Sequence, residues 1–98
     1  MMSSIYEDKV KNYRLIKLKF FGATNYRGFR VKLIEDFRNK VFSVTLERDY
    51  NYDSSTDQAY DWLKIKGFKV VGMARSSDEF DYFFCDNWGN DFVYLKDE

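Results

Sequence analysis

Histidine and proline are both absent from this chain, and cysteine occurs once. Without histidine there is no Ser/His or Cys/His nucleophilic dyad, and the commonest metal ligand is missing. Without proline, turns must be built from Gly, Asn, Asp and Ser. The one thiol, Cys85, rules out an internal disulfide framework and suits a reducing compartment. It follows Phe83-Phe84 in an apolar stretch, which marks it as a small core residue rather than a reactive thiol. No run approaches the ~18 apolar residues of a membrane span. The opening Met1-Met2-Ser3-Ser4-Ile5-Tyr6-Glu7-Asp8 has no basic segment leading into an apolar one. The cytoplasm is therefore the expected location, with no membrane partner. Glycine patterns for binding phosphate or a dinucleotide are also missing. No cofactor, metal ligand or catalytic residue is expected, and the chain reads as a non-enzyme.

What is present is a globular composition. The 98 residues are 45% hydrophobic and 33% charged, which fits one α+β domain over residues 1–98. A chain of this length buries roughly 65% of the surface its unfolded form exposes, enough for one core. Ten Phe, eight Tyr and two Trp are more aromatics than a small two-layer core holds, so some belong at the surface. Sixteen basic and sixteen acidic residues cancel, yet they are unevenly spread. From Lys9 to Lys32 no residue is acidic, whereas from Asp78 to Glu98 only Lys96 is basic. Such asymmetry bears on partners rather than on fold.

Hydropathy periodicity predicts the order βββαβββ, an antiparallel meander plus one helix. Residues 1–12 read as a loose lead-in. In residues 14–21, Ile16, Leu18 and Phe20 alternate with Lys17 and Lys19, the pattern of a half-buried strand. Residues 28–35 place Phe29, Val31 and Leu33 inward and Arg30 and Lys32 outward. Residues 40–49 place Phe42, Val44 and Leu46 inward, with Ser43, Thr45 and Glu47 outward. Ser54 or Ser55 can cap a helix, with Ser55 and Gln58 spaced as a capping box and Gly67 as the stop. Ala59, Trp62 and Leu63 form its apolar stripe. Residues 68–74 read as a fourth strand, and residues 80–86 and 91–96 as a second hairpin.

Two surfaces follow from this layout. One is basic: Lys17, Lys19, Arg30 and Lys32 on the outer face of the first strands, with Tyr26 and Arg27 at the preceding loop. It is a candidate for neutralising phosphates. The other is acidic and aromatic: Asp81, Asp86 and Asp91 with Tyr82, Trp88 and Tyr94 on the last hairpin, a candidate protein-binding surface. Asp49-Tyr50-Asn51-Tyr52-Asp53 has the alternating oxygens that open a calcium loop. Ser54 stands where that loop needs glycine, and Tyr60 where it needs the closing glutamate, so a polar turn feeding a helix accounts for these residues.

The stretch Phe21-Gly22-Ala23-Thr24-Asn25-Tyr26-Arg27-Gly28-Phe29-Arg30-Val31-Lys32 resembles a group of short proteins from bacteriophages, prophages and plasmids. Those carry Thr-Asn-x-(Arg/Lys)-Gly-x-Arg-(Ile/Val)-Lys, then a strand, a Tyr-rich turn, a helix and a Lys-x-Gly stop. Phe42 to Leu46, Asp49-Tyr50-Asn51-Tyr52, the helix from Ser55 and Lys66-Gly67 fall in that order here. The resemblance spans roughly residues 18–84 and implies an accessory protein of a mobile genetic element. It brings no activity and no catalytic residues, and Asp86 to Glu98 extend past it. The expected function is thus non-enzymatic binding of a host or phage protein or nucleoprotein, as an inhibitor or adaptor. The alternative is nucleic-acid binding through the basic face. Exposed edge strands leave room for a dimer.

Overall fold

The computed structural model describes residues 12–25, 28–76 and 80–96. Most of the expected lead-in, and with it Tyr26 and Arg27 of the basic surface, lies outside the described residues. Strands β1 (Arg14–Phe21), β2 (Arg30–Phe37) and β3 (Lys40–Glu47) form the expected meander. Helix α1 (Ser55–Ile65) follows, then β4 (Val70–Arg75), β5 (Phe80–Cys85) and a single 3-10 turn at Gly89–Asp91. All five strands join one antiparallel sheet in the order β3-β2-β1-β5-β4. The two halves of the chain meet where β1 pairs with β5, at the centre of the sheet.

Residues 91–96 are not the sixth strand that their alternation predicts. The reason is topological. β5 is flanked by β1 on one side and β4 on the other, so neither of its edges can accept another strand. The second hairpin is instead β4 with β5. Past β5 the buried Asn87 turns the chain. Its side-chain oxygen accepts from the Lys69 amide at 2.6 Å, and its side-chain nitrogen donates to the Gly67 and Asp91 carbonyls at 3.0 Å each. The segment that follows lies down on the core, with Leu95 fully buried.

The helix ends are defined by short-range chemistry. Ser54 is the N-cap, accepting from the Asp57 amide at 3.1 Å. The capping box of Ser55 with Gln58 does not form. Gln58 is spent instead on β3's exit: it donates to the Glu47 carbonyl and accepts from the Asp49 amide. At the other end Gly67 (φ 99°) takes the left-handed position, with Gly67 N–H to Lys64 and Phe68 N–H to Leu63. That is a Schellman motif, with Phe68 and Leu63 both buried as its apolar contact.

One face of the sheet is the core side. Ile16, Leu18, Val31, Leu33, Val44, Phe83 and Cys85 lie there under Ala59 and Leu63 of α1, with Phe68 and Leu95 closing one end. Trp62 is only partly buried, and Phe20 and Phe29, expected inward, are 41% and 49% exposed. Arg14, whose charge suggests the basic surface, points into the core instead. It makes a bidentate pair with Glu35 at 2.8 and 2.6 Å, both side chains almost fully buried. The rings of Phe68 and Phe92 lie 5.0 and 4.1 Å from its guanidinium. Burying two charges is tolerable only with such geometry, and removing one partner would leave the other uncompensated.

Candidate functional site

The opposite face of the sheet has no helix over it among the described residues. Strand parity and register decide what it carries. Lys17 and Lys19 of β1 point outward because Ile16 and Leu18 point inward. Lys17 is opposite Ile34 on β2 and Tyr82 on β5; Lys19 is opposite Lys32 and Phe80. Arg30 is opposite Phe21. The four strand cations of the predicted basic face therefore do share one surface.

That surface is also aromatic, which the sequence layout missed. Phe80, Tyr82 and Phe84 alternate along β5, each partly exposed, on the side of Lys17 and Lys19. Successive rings on one strand face are about 7 Å apart. On the far flank their partners are small: Gly72 opposite Phe84 and Ala74 opposite Tyr82. Cations and rings interleave closely. Lys17 Nζ lies 4.6 Å from the Phe80 ring centre, Lys19 Nζ 5.3 Å from Phe21, and the Arg30 guanidinium 5.1 Å from Phe21. Leu15 and Tyr13, 44% and 40% exposed, extend the apolar part beside Phe84.

The charge of this face is only partly balanced: Glu47 of β3 is opposite Arg30. The ion pairs among the described residues join Arg14 to Glu35, Lys69 to Asp91 and Arg75 to Asp81, and none involves Lys17, Lys19, Arg30 or Lys32. Lys19 and Lys32 even oppose each other directly, an arrangement that destabilises a sheet. Arg30 Nε is buried without a hydrogen-bond partner among the described residues.

The six residues of the predicted acidic surface are divided. Tyr82 is on the basic face just described. Asp81 is on the other face, paired with Arg75 at 3.9 Å and only 17% exposed at its side chain. Asp91 is tied to Lys69 at 2.6 Å. Asp86 is half-buried, its amide donating to the Lys69 carbonyl. Trp88 and Tyr94 border a cleft on the core side of the sheet.

Elsewhere, the oxygen-rich turn before α1 uses its groups internally. Asp49 accepts from the Asn51 amide, and the Tyr52 hydroxyl donates to Asp61 at 2.5 Å. That hydrogen bond raises the Tyr52 pKa. Among the described residues no three His, Cys, Asp or Glu side chains gather as a metal site, and no helix is long and apolar enough to cross a membrane. Comparison with protein families, with characterised proteins and with solved structures gave no match.

Proposed function

We propose that the protein binds single-stranded nucleic acid on the open face of its sheet, without catalysing a reaction. The observation that carries this reading is the row Phe80–Tyr82–Phe84 lying beside Lys17 and Lys19, which make no ion pair among the described residues. Unpaired bases stack on exposed rings, each stack contributing about 1–3 kcal/mol, while cations along the groove follow the phosphates. An open sheet with aromatics on its central strands is a known physical solution to this problem. Duplex DNA hides its base faces, so the same surface favours single strands. The protein-partner reading has less support, because it needs Asp81, Asp86 and Asp91 on one surface and they are divided. In the mobile-element setting suggested by the Thr24–Lys32 motif, the protein would be a non-enzymatic accessory factor.

The test is fluorescence anisotropy with labelled single-stranded and duplex oligonucleotides across a salt series. Single strands bind more tightly than duplex, and four contacted phosphates give a log–log salt slope near −3, at about −0.7 each. Lys17→Glu with Lys32→Glu abolishes binding, and Tyr82→Leu with Phe84→Leu weakens it at least roughly tenfold. No binding at low salt, or binding indifferent to both pairs of changes, rejects the proposal.

A further inference from the structure

Where β2 turns into β3, aromatic side chains from three segments meet on the core side of the sheet. Phe37 ends β2, Phe42 is in β3, and Trp88, Phe92 and Tyr94 come from the segment after β5. Neighbouring ring centres are 5.0 Å apart for Phe37–Phe92 and Phe92–Tyr94, and 5.5 Å for Phe42–Tyr94. The rings do not close over one another. They wall a cleft of about 380 Å³, and an adjoining recess of about 190 Å³ shares Phe37 and Tyr94. Trp88 and Tyr94 stay 42% and 54% exposed at its border. A volume of this order is that of a small-molecule site.

The charge of the cleft selects among ligands. Among the described residues, Arg38 and Lys40 are the only charged ones lining the two spaces, and no carboxylate lines either. An aromatic box usually suits a cation such as a quaternary ammonium, but two lysine and arginine cations in the lining oppose that. They favour an anion attached to a planar ring. The Arg14–Glu35 pair beneath the rings is neutral overall, so it does not offset them.

Arg38 adds an independent observation. It occupies the first position of a two-residue hairpin turn with φ 51°, followed by Asn39 at φ 64°. Such turns are dominated by Asn, Asp and Gly, because other residues are strained there. Nothing in the turn itself requires arginine. Its guanidinium lies 5.1 Å from the Phe37 ring, at the cleft.

We propose that this cleft binds a nucleoside monophosphate. The base stacks among Phe37, Trp88, Phe92 and Tyr94, and the phosphate is held by Arg38 and Lys40. Two cations match one phosphate dianion, and a guanidinium can engage two of its oxygens. The site is separate from the open sheet face: Phe42 is opposite Glu35, whose side chain is buried in the core, whereas Lys17 and Lys32 point the other way. The two proposals can therefore fail independently.

The chain has two tryptophans, so an amide correlation NMR spectrum carries two indole N–H signals, from Trp62 and Trp88. Titration of the whole protein with adenosine, guanosine and uridine 5′-monophosphates should move the Trp88 signal saturably and leave Trp62 nearly still. Adenosine without phosphate should bind at least roughly tenfold more weakly. Arg38→Asn, a residue the turn prefers, should melt no lower than the wild type yet lose at least roughly tenfold in affinity. Lys17→Glu with Lys32→Glu should leave this binding unchanged. No saturable movement at millimolar nucleotide, equal binding of adenosine and its monophosphate, or full affinity in Arg38→Asn would each overturn the proposal.

Discussion

Cys85 faces Arg14 across β1 and β5 and is fully buried. Burial pushes its thiol from 9.0 up to about 12; the Arg14 charge pulls it down and Glu35 adds to the rise. The linkage has a definite sign. Below about pH 9 folded and unfolded chains both keep the proton. Above that the unfolded thiol ionises while the folded one does not. Stability is therefore complete below pH 9 and is lost as pH rises toward 12, at up to about 1.4 kcal/mol per pH unit. Tyrosines and lysines titrate in the same range, so the variant Cys85→Ala is the reference. In urea unfolding at about pH 8 and about pH 10, the wild type should lose its advantage over the variant at the higher value. An unchanged difference would mean that the folded thiol titrates normally. The core position of Cys85 was legible from its apolar neighbours. So, in principle, was the burial of Arg14 and Glu35: each shares strand parity with inward residues, Ile16 and Leu33. Charge obscured that, because a lone arginine at a strand end reads as surface.

At the scale of elements, Asn87 ties the connection between α1 and β4 to the segment after β5. It receives the amide of Lys69 before β4 and donates to carbonyls at the end of α1 and in the 3-10 turn. Asn87→Asp keeps the acceptor but loses both donors and sets a carboxylate against two carbonyls. With several buried groups left unsatisfied, it should cost about 3–5 kcal/mol, a large share of a small domain's stability. Equilibrium urea unfolding measures this. A cost under about 1 kcal/mol would mean that the turn re-forms without the side chain. The meander, the helix and its glycine stop were legible because each is a local pattern: period-two alternation in β1 to β3, a cap at Ser54, a left-handed Gly67. The final segment was not. Phe92, Val93, Tyr94 and Leu95 want burial, and alternation reports that want alone. Whether a free strand edge exists depends on β5 having been taken on both sides. The open face divides the same way. Its cations followed from parity on β1 and β2, while the aromatic row depends on β1 pairing with β5 from the far half of the chain.

For the molecule as a whole, sixteen cations balance sixteen anions, yet four cations converge on one sheet face, and among the described residues three of them, Lys17, Lys19 and Lys32, make no ion pair and are opposite no carboxylate. Folding brings them together against their mutual repulsion. Lys19 and Lys32, directly opposed, are the clearest case. A like-charged cross-strand pair weakens a sheet by roughly 0.2–1 kcal/mol, and an opposite-charged pair strengthens it by a similar amount. Lys19→Glu should therefore raise stability by up to about 1 kcal/mol, which urea unfolding resolves as a higher midpoint with unchanged slope. The same change removes one phosphate contact and adds a repulsion. Anisotropy with single-stranded oligonucleotide should show weaker binding and a salt slope shallower by about 0.7. A more stable protein that binds less well would mark the repulsion as the cost of holding phosphates. If Lys19→Glu stabilises and binding is unaltered, this face is solvated surface and the proposed function loses its support. If it destabilises, the methylene stem of Lys19 against Phe21 outweighs the charge, and the electrostatic account of the face is wrong.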